Sequence, residues 1–364
     1  MRHRAAALAR TVLARVNWHH VGIVVSLVII AVAVATLVRI LRDVELAKVW
    51  VALAATPGRS IALAAALIVA AYGTLTCYDY FALRTIGRTH VPYRVAALAA
   101  FTSYSIGHNV GATVFTGGAI RYRIYSAWGM SVLDVAKMAF VTGLTFWLGN
   151  LFVLGLGVSV APQVASAVNL LPPLVNRLIG LGMLAAIVLY VVWIASGPRV
   201  IGRMTWQVTL PNTPLTLIQI VIGVFDLGLS GLAMYVLLPA DSQAELVAVV
   251  VTYVTASLLA FASHAPGGLG VFDAAMLVAL EAIDKEQLIA SLLLFRLLYY
   301  VIPFVLALST LGAREAWLNL SAARAARERG AGADLPARLD AQPCSPAASR
   351  PAGNRAVRHN RTDS

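Results

Sequence analysis

Charged residues are scarce in this sequence: Asp, Glu, Lys and Arg make up 12% of its 364 residues, while 60% are hydrophobic. A soluble globular domain carries about 25% charged residues, so this composition excludes one. Cysteine is scarcer still, and Cys77 and Cys344 are too few and too differently placed for a disulfide framework. A metal site is not predicted either, because His108 and His264 have no carboxylate or thiolate at metal-ligand spacing.

Other absences bear on chemistry. The chain has no Gly-Lys-Ser or Gly-Lys-Thr phosphate loop, so neither ATP nor another cofactor is expected. No serine or cysteine comes with a local base signature, so nucleophilic catalysis is not expected and we predict no enzyme activity. The net charge of +12 lies in loops and tail rather than in a basic folded domain. It therefore indicates topology and anionic lipid headgroups, and nucleic acid is excluded as a partner.

Long uncharged apolar runs dominate what remains. A helix of about 20 residues crosses the hydrocarbon core of a bilayer, and runs of that order occupy residues 21–38, 60–78, 138–160 and 178–195. We therefore predict an all-α polytopic membrane protein. The first run is full length and lacks a clear small-residue cleavage site, so it is expected to be an anchor and not a signal peptide.

The sequence is also duplicated. Gly117 and Gly118 interrupt an apolar stretch, and Gly267 and Gly268 do the same 150 positions later. The flanking spans match at nearly the same offset: 21–38 with 178–195, 60–83 with 214–238, and 138–160 with 288–312. Two similar halves that each carry one interrupted hydrophobic segment are typical of a transporter whose site lies between the repeats.

Charge asymmetry orients these spans, because basic flanks stay in the cytoplasm. Residues 1–20 are basic and contain no acidic residue, which places the N-terminus inside. Segment 95–120 has basic residues on both sides and is predicted to enter and leave by the cytoplasmic face. Segment 246–283 is broken at Pro266 and ends in a non-basic loop, so it is predicted to dip in from outside.

The predicted organisation is two inverted repeats with six full transmembrane helices and two re-entrant helical hairpins. The first repeat covers residues 21–160 and the second covers 174–313, and an extracytoplasmic linker, 161–173, joins them. Residues 314–364 are expected to form a disordered, basic, cytoplasmic tail.

A competing topology stays open. Loop 39–59 carries four basic residues against two acidic ones, yet the scheme above places it outside. If segment 95–120 crossed the membrane fully, Arg121 and Arg123 would lie outside and every later span would be inverted. The re-entrant topology is preferred, although the positive-inside rule is statistical.

Four motifs stand out: SYSIGHNVG at 103–111, TGGAIRYRIYSAWG at 116–129, HAPGGLGVFD at 264–273 and RLLYYVIP at 296–303. They resemble the membrane domain of the multiple peptide resistance factor family, whose members are lysylphosphatidylglycerol synthases and flippases. The resemblance covers about residues 15–315 and implies an inner-membrane lipid flippase fold. Bifunctional members carry a soluble acyltransferase domain after the membrane part. Here about 50 residues follow, too few for such a domain, so the stand-alone form is implied and lysyltransferase activity is not expected.

The glycine-rich breaks are the first candidate site. An interrupted helix exposes N–H donors whose aligned dipoles attract phosphate, and Pro266 fixes a stop before a new helix. The predicted lipid-phosphate ligands at the breaks are Thr116, Gly117, Gly118, Gly267, Gly268 and Gly270. Close helix packing or a kink is the competing interpretation.

Arginines near the breaks are the second candidate. Arg296 lies near the middle of a predicted span, where an arginine costs about 2.5–3.5 kcal/mol on insertion scales. It is predicted to have an anionic partner, for which Asp226 and Asp273 are available, and either to bind lipid phosphate or to form a structural salt bridge. Those two aspartates are also predicted to meet a cationic headgroup. Arg121 and Arg123 either hold a phosphodiester at the cytoplasmic mouth or act as ordinary positive-inside anchors.

The remaining polar candidates lie close to the breaks. His108 and Asn109 fall at the predicted tip of the first hairpin, and His264 precedes the second break. Each either contacts the headgroup or satisfies hairpin backbone groups. Asp79 either pairs with Arg84 or helps to bind a cationic headgroup.

The leading hypothesis is a bacterial inner-membrane transporter that moves an anionic or aminoacylated phospholipid between leaflets, by rocking one repeat against the other. Another lipid phosphate, such as a polyprenyl phosphate, is an alternative cargo. A second hypothesis is a non-catalytic membrane subunit or scaffold for a separate lipid-modifying synthase. Phospholipids are thus the predicted partners, and a homodimer stays open.

Overall fold

The protein is described from a computed structural model, which describes residues 42, 44–111, 113–169, 171–203 and 206–333. The predicted first span, 21–38, lies outside these residues, as do the N-terminal segment 1–20 and residues 334–364 of the predicted tail. Contacts divide the chain into one compact unit, Met1–Leu311, and a second unit that begins at Gly312.

Helices make up most of the described residues. They are α1 (Leu46–Ala55), α2 (Gly58–Thr85), α3 (Tyr93–Val110), α4 (Thr113–Tyr125), α5 (Val132–Val160), α6 (Pro162–Asn169), α7 (Pro173–Ala195), α8 (Thr213–Leu237), α9 (Leu246–Ser263), α10 (Val271–Ala279), α11 (Lys285–Arg296) and α12 (Ile302–Ala333). A π turn, Leu297–Val301, joins α11 to α12, and 3₁₀ turns occupy Ser126–Trp128 and Pro266–Gly268. The strands β1 (Val200–Arg203) and β2 (Trp206–Thr209) pair antiparallel, with Val200 opposite Thr209.

Six helical segments in the described part are long and apolar enough to cross a membrane: α2, α5, α7, α8, α9 and the continuous run Lys285–Trp317. All but α9 match predicted spans. Helix α9 is the first arm of the segment predicted as the second hairpin, and its 18 residues would rise about 27 Å, slightly less than a hydrocarbon core. The chain is therefore an all-α polytopic membrane protein, as predicted.

The first interrupted segment forms a hairpin in which α3 packs against α4. The chain reverses at Gly111, whose φ of 84° lies in the left-handed region that favours glycine. The sequence-based prediction that Gly117 and Gly118 break the helix is wrong, because both lie inside α4. A Cβ at Gly117 would lie 3.3 Å from Nη1 of Arg121 and 3.4 Å from the carbonyl oxygen of Ser103. Gly117 therefore permits close packing of α3 on α4, which was the competing interpretation.

The second interrupted segment forms the hairpin of α9 and α10, and here the glycines do break the helix. His264 ends α9 at a φ of 55°, and Gly267, Gly268 and Gly270 all have positive φ. The amide of Gly268 donates to the Ala265 carbonyl at 2.9 Å. The amide of Gly270 donates to the Asp273 carboxylate at 3.1 Å. These two N–H groups are thus satisfied within the break itself.

The duplication extends to the helix boundaries. Helices α3 and α9 both contain 18 residues and begin 153 positions apart, at Tyr93 and Leu246. Helices α5 and α11 begin after Ser131 and Asp284, again 153 positions apart, and each of these residues caps its helix through its side chain. A side-chain cap satisfies backbone donors of the first turn. The two halves therefore share an order of long helix, 18-residue helix, short helix and long helix.

Helix α8 lies at the centre of the compact unit and contacts α2, α5, α9 and α11. Against α5 its backbone is in direct contact: a Cβ added to Gly149 would lie 2.7 Å from the Cα of Gly223. Small residues allow such close approach between membrane helices. Aromatic side chains fill part of the core, including Phe295 stacked on Tyr299 with ring centroids 5.2 Å apart.

Candidate functional site

The first ion pair joins the first hairpin to α2. Arg121 on α4 donates through Nε and Nη2 to the Asp79 carboxylate at 2.9–3.2 Å, and the Tyr125 hydroxyl donates to the same carboxylate at 3.0 Å. The guanidinium also lies 4.7 Å from the centre of the Tyr104 ring. The Asp79 side chain is fully buried and that of Arg121 is 7% exposed. Asp79 thus pairs with Arg121 and not with Arg84, which lies over the Tyr80 ring instead.

The second ion pair joins the second hairpin to α11. Arg296 donates through Nε and Nη2 to the Asp273 carboxylate at 2.8 and 2.5 Å. Its Nη1 donates to the carbonyl oxygen of Gly267 at 3.0 Å. Of the two aspartates available to Arg296, the structure therefore selects Asp273. The arginine therefore donates both to the carboxylate and to a carbonyl of the break, so it holds the non-helical backbone against α11.

The two ion pairs occupy corresponding places in the two halves, but the charge that the hairpin contributes is opposite. In the first half the hairpin contributes the cation, Arg121, and in the second half it contributes the anion, Asp273. Each pair fixes the second arm of a hairpin to a long helix. Because a buried ion left without its partner is strongly destabilising, these pairs are suited to holding the hairpins in place.

A central cavity of about 170 Å³ lies between the two hairpins and α8. The hairpin tips meet beside it, since a Cβ at Gly111 would lie 3.3 Å from the carbonyl oxygen of His264. Its polar lining comes from both halves: Tyr78, Tyr104, His108, Asp226, Ser230, Tyr253, Ser257, His264, Tyr299 and Tyr300. The cavity thus brings polar groups from both halves together within a largely apolar lining.

Asp226 on α8 is the carboxylate of this cavity. Its Oδ2 accepts a hydrogen bond from the Tyr78 hydroxyl at 3.2 Å. Its Oδ1 is buried and has no hydrogen-bond partner, and the residue is 6% exposed. Within the described ranges no Lys or Arg forms a salt bridge with it. Asp226 therefore differs from Asp79 and Asp273 in having no counter-ion.

The π turn anchors the first hairpin. Asn109 donates to the carbonyl oxygen of Tyr300 at 3.1 Å and to that of Ser105 at 2.8 Å. The Tyr72 hydroxyl donates to the carbonyl oxygen of Tyr299 at 3.0 Å. A π turn displaces backbone carbonyls from the regular helical ladder and occurs often at functional sites. Asn109 thus satisfies backbone groups, one of the two roles predicted for it.

The cavity brings together some of the predicted site residues and leaves others aside. His108, Asp226, His264, Gly267 and Gly268 line it. The predicted residues outside its lining are Asn109, Thr116, Gly117, Gly118, Arg121, Arg123, Gly270, Asp273 and Arg296. Arg121 and Arg296 lie in ion pairs, and Arg123 is exposed. No cluster of three or more metal-ligating side chains occurs among the residues that the structure describes.

Sequence reasoning missed the tyrosines. Tyr78, Tyr104, Tyr253, Tyr299 and Tyr300 supply half of the polar side chains that line the cavity. Three of them lie in or beside the motifs that carry the family resemblance, at 103–111 and 296–303. The presence of tyrosines in those motifs could have identified them as candidate site residues from the sequence.

Comparison with known proteins gives relatives but no family model that matches this chain. The uncharacterized protein slr0712 of Synechocystis sp. is 34% identical over 258 residues, which cover 70% of this chain and 79% of that relative. The inner membrane protein YbhN of Escherichia coli is 26% identical over 273 residues, which cover 73% and 84%. A phosphatidylglycerol lysyltransferase of Staphylococcus haemolyticus is 26% identical over 160 residues, 37% of this chain but 19% of that protein. The likeness to the lysyltransferase is thus distant and partial.

Proposed function

We propose that this chain, which belongs to the family of the Synechocystis protein slr0712, is an inner-membrane transporter that moves an anionic or aminoacylated phospholipid between leaflets. The observation that carries the proposal is the central cavity, which brings polar groups from two hairpins together inside a bundle of membrane helices. The name of the Escherichia coli relative supports the inner membrane as the location. The partial likeness to a phosphatidylglycerol lysyltransferase supports a lipid with a modified headgroup as cargo.

In this proposal the headgroup enters the cavity while the acyl chains stay in the bilayer. Tyrosine hydroxyls of the lining can donate hydrogen bonds to a phosphodiester. The carboxylate of Asp226 meets a headgroup amine, because an unpaired buried anion favours a nearby cation. Gly111 and the break at Gly267 and Gly268 lie beside the cavity, where backbone rotations would open it to one side or the other.

Leaflet exchange in proteoliposomes tests the proposal. Lipids labelled on an acyl chain and carrying glycerol, ethanolamine or lysylglycerol headgroups would be compared with a polyprenyl phosphate, with membrane-impermeant quenching as the readout. We expect the protein to accelerate exchange of at least one phospholipid above that of protein-free vesicles. Ser257→Trp, which fills the cavity, is expected to abolish the acceleration.

The matched control is Ser309→Trp, because Ser309 is exposed on α12. It should exchange lipids at the unmodified rate. Exchange by the unmodified protein no faster than in protein-free vesicles would contradict the proposal. Exchange by Ser257→Trp equal to that of Ser309→Trp would show that the central cavity is not the path.

The partial likeness to a lysyltransferase also favours a second candidate function, a membrane subunit that recruits a separate lipid-modifying synthase. In that case the protein would give no lipid exchange in vesicles. Instead, such a synthase would co-purify with it from cells. The two candidates therefore predict opposite results in the same exchange assay.

A further inference from the structure

Asp226 is the acidic residue that lines the central cavity. Among the described residues, no Lys or Arg forms a salt bridge with it. The Tyr78 hydroxyl donates to Oδ2 at 3.2 Å, and Oδ1 is buried without a partner. The buried Arg121 and the partly buried Arg296 are held by Asp79 and Asp273. An ionised Asp226 would therefore have one hydrogen bond and no compensating charge.

Such a carboxylate is unstable as an anion in an empty cavity. Removing a charge from water is costly unless an opposite charge replaces the solvent, and a buried acid without a partner takes up a proton instead. Ionisable residues inside a membrane commonly mark ion paths or proton relays. Asp226 thus has two ways to become neutral: it can bind a proton, or a cationic ligand can pair with it.

The titratable groups that line the cavity beside Asp226 come from four elements. Helix α2 contributes Tyr78, α3 contributes Tyr104 and His108, α9 and its cap contribute Tyr253 and His264, and the π turn contributes Tyr299 and Tyr300. Helices α5 and α7 contribute no titratable side chain to this lining, nor does any Lys or Arg in the described ranges. Besides the tyrosine hydroxyls, which are neutral donors, the lining holds the imidazoles of His108 and His264.

We propose that Asp226 exchanges a bound proton for the ammonium group of a lipid headgroup, so that the protein is a proton/amine-lipid antiporter. As the ammonium enters, the carboxyl group releases its proton to the water on that side and pairs with the ammonium. When the headgroup leaves to the other side, the carboxylate takes a proton from that side. At every step either the proton or the ammonium group compensates the charge of the Asp226 carboxylate. The inference rests on the proposed lipid transport and adds its coupling.

A proton gradient across proteoliposomes tests the exchange. The vesicles would contain acyl-labelled phosphatidylethanolamine, which carries an amine, or phosphatidylglycerol, which carries none, with the membrane potential clamped. We expect the amine lipid to accumulate in the leaflet that faces the acidic side, by up to about tenfold per pH unit for one-for-one exchange. Phosphatidylglycerol should not respond to the gradient.

Variants separate Asp226 from other acids. Asp226→Asn should lose the response to the gradient and Asp226→Glu should keep it. Asp241→Asn is the control, because Asp241 is exposed in a loop, and it should behave as the unmodified protein does. Amine-lipid exchange that ignores the gradient, or a response that survives in Asp226→Asn, would overturn the antiport while leaving lipid transport standing.

Absence of lipid exchange in every vesicle would count against the proposed function itself. Infrared difference spectroscopy tests the proton site independently of that outcome. The purified protein would be compared between acidic and alkaline pH. A protonated carboxyl band that is absent from Asp226→Asn would support the proton site. Spectra of the two proteins that show the same carboxyl bands would refute it.

Discussion

Three aspartates of the membrane part have two different roles: two form ion pairs that hold the fold, and the third lines the cavity. Asp79 and Asp273 each receive an arginine fork within hydrogen-bond distance, whereas Asp226 receives one tyrosine hydroxyl. Two forked bonds satisfy both carboxylate oxygens and leave little capacity for a ligand. The residues best suited to hold the fold and those best suited to meet a ligand are therefore different acids of the same protein.

The first ion pair gives a residue-level prediction. Asp79→Ala or Arg121→Ala should each destabilise the protein by about 3–5 kcal/mol, because each leaves a buried ion without its partner. The double substitution should cost much less than the sum of the two single ones. Reversible unfolding in mixed micelles measures all three free energies.

Arg84→Ala is the matched control for that cycle. Arg84 is exposed and forms no salt bridge in the described part of the chain, so its loss should change the free energy of unfolding by less than about 1 kcal/mol. Additive effects of Asp79→Ala and Arg121→Ala would show that the two ions do not act as a pair.

Helices in this protein are placed by glycine in two different ways. At Gly111 and at Gly267 the backbone needs a positive φ to turn. At Gly117, Gly149 and Gly223 the backbone is helical and glycine instead lets a neighbouring segment approach. Both uses produce the same sequence pattern, a glycine within an apolar run, which explains why the first break was misplaced.

The contact between α5 and α8 gives a prediction about how the packing of these two helices affects stability. Gly149→Ala should destabilise the protein by about 1–3 kcal/mol, because overpacking forces the two helices apart. The new Cβ would lie 2.7 Å from the Cα of Gly223, which is backbone and cannot rotate away. Thermal unfolding in detergent is the measurement.

Gly143→Ala on the same helix is its control. A Cβ there meets no atom within 4 Å, so the substitution should be neutral or stabilise the helix by up to about 1 kcal/mol. Equal effects of the two substitutions would mean that α5 and α8 do not touch at Gly149.

At the scale of the whole molecule, the described segments α2–α5 and α8–α12 follow the same order of helices, with α3 and α9 beginning 153 positions apart. A cavity lined by polar groups from both halves lies where the two hairpins meet, and its role as a transport site between repeats stays a prediction. The inversion of the halves in the membrane stays a prediction from the charged loops. The inversion decides whether the two hairpins open to opposite sides of the membrane.

Cysteine labelling tests that inversion. In a background without Cys77 and Cys344, Ala119→Cys should react with an impermeant thiol reagent from the cytoplasmic side and Leu269→Cys from the opposite side. Ala119 is exposed and Leu269 is 61% exposed, so both sites are accessible on the protein surface. Labelling of both from one side would make the inverted arrangement wrong.

The sequence alone determined the class of protein, five of the spans that the structure describes and the two interrupted segments. These follow from local properties, because bilayer thickness fixes the length of an apolar helix and water-free surroundings exclude exposed backbone. The tertiary structure alone decided that Arg121 pairs with Asp79, that Arg296 pairs with Asp273, and that Asp226 has no ion-pair partner among the described residues. Those outcomes depend on contacts between residues far apart in the chain, such as Tyr78 and Asp226, which are separated by 148 positions. Composition and periodicity carry no information about which of several acids a buried arginine will reach.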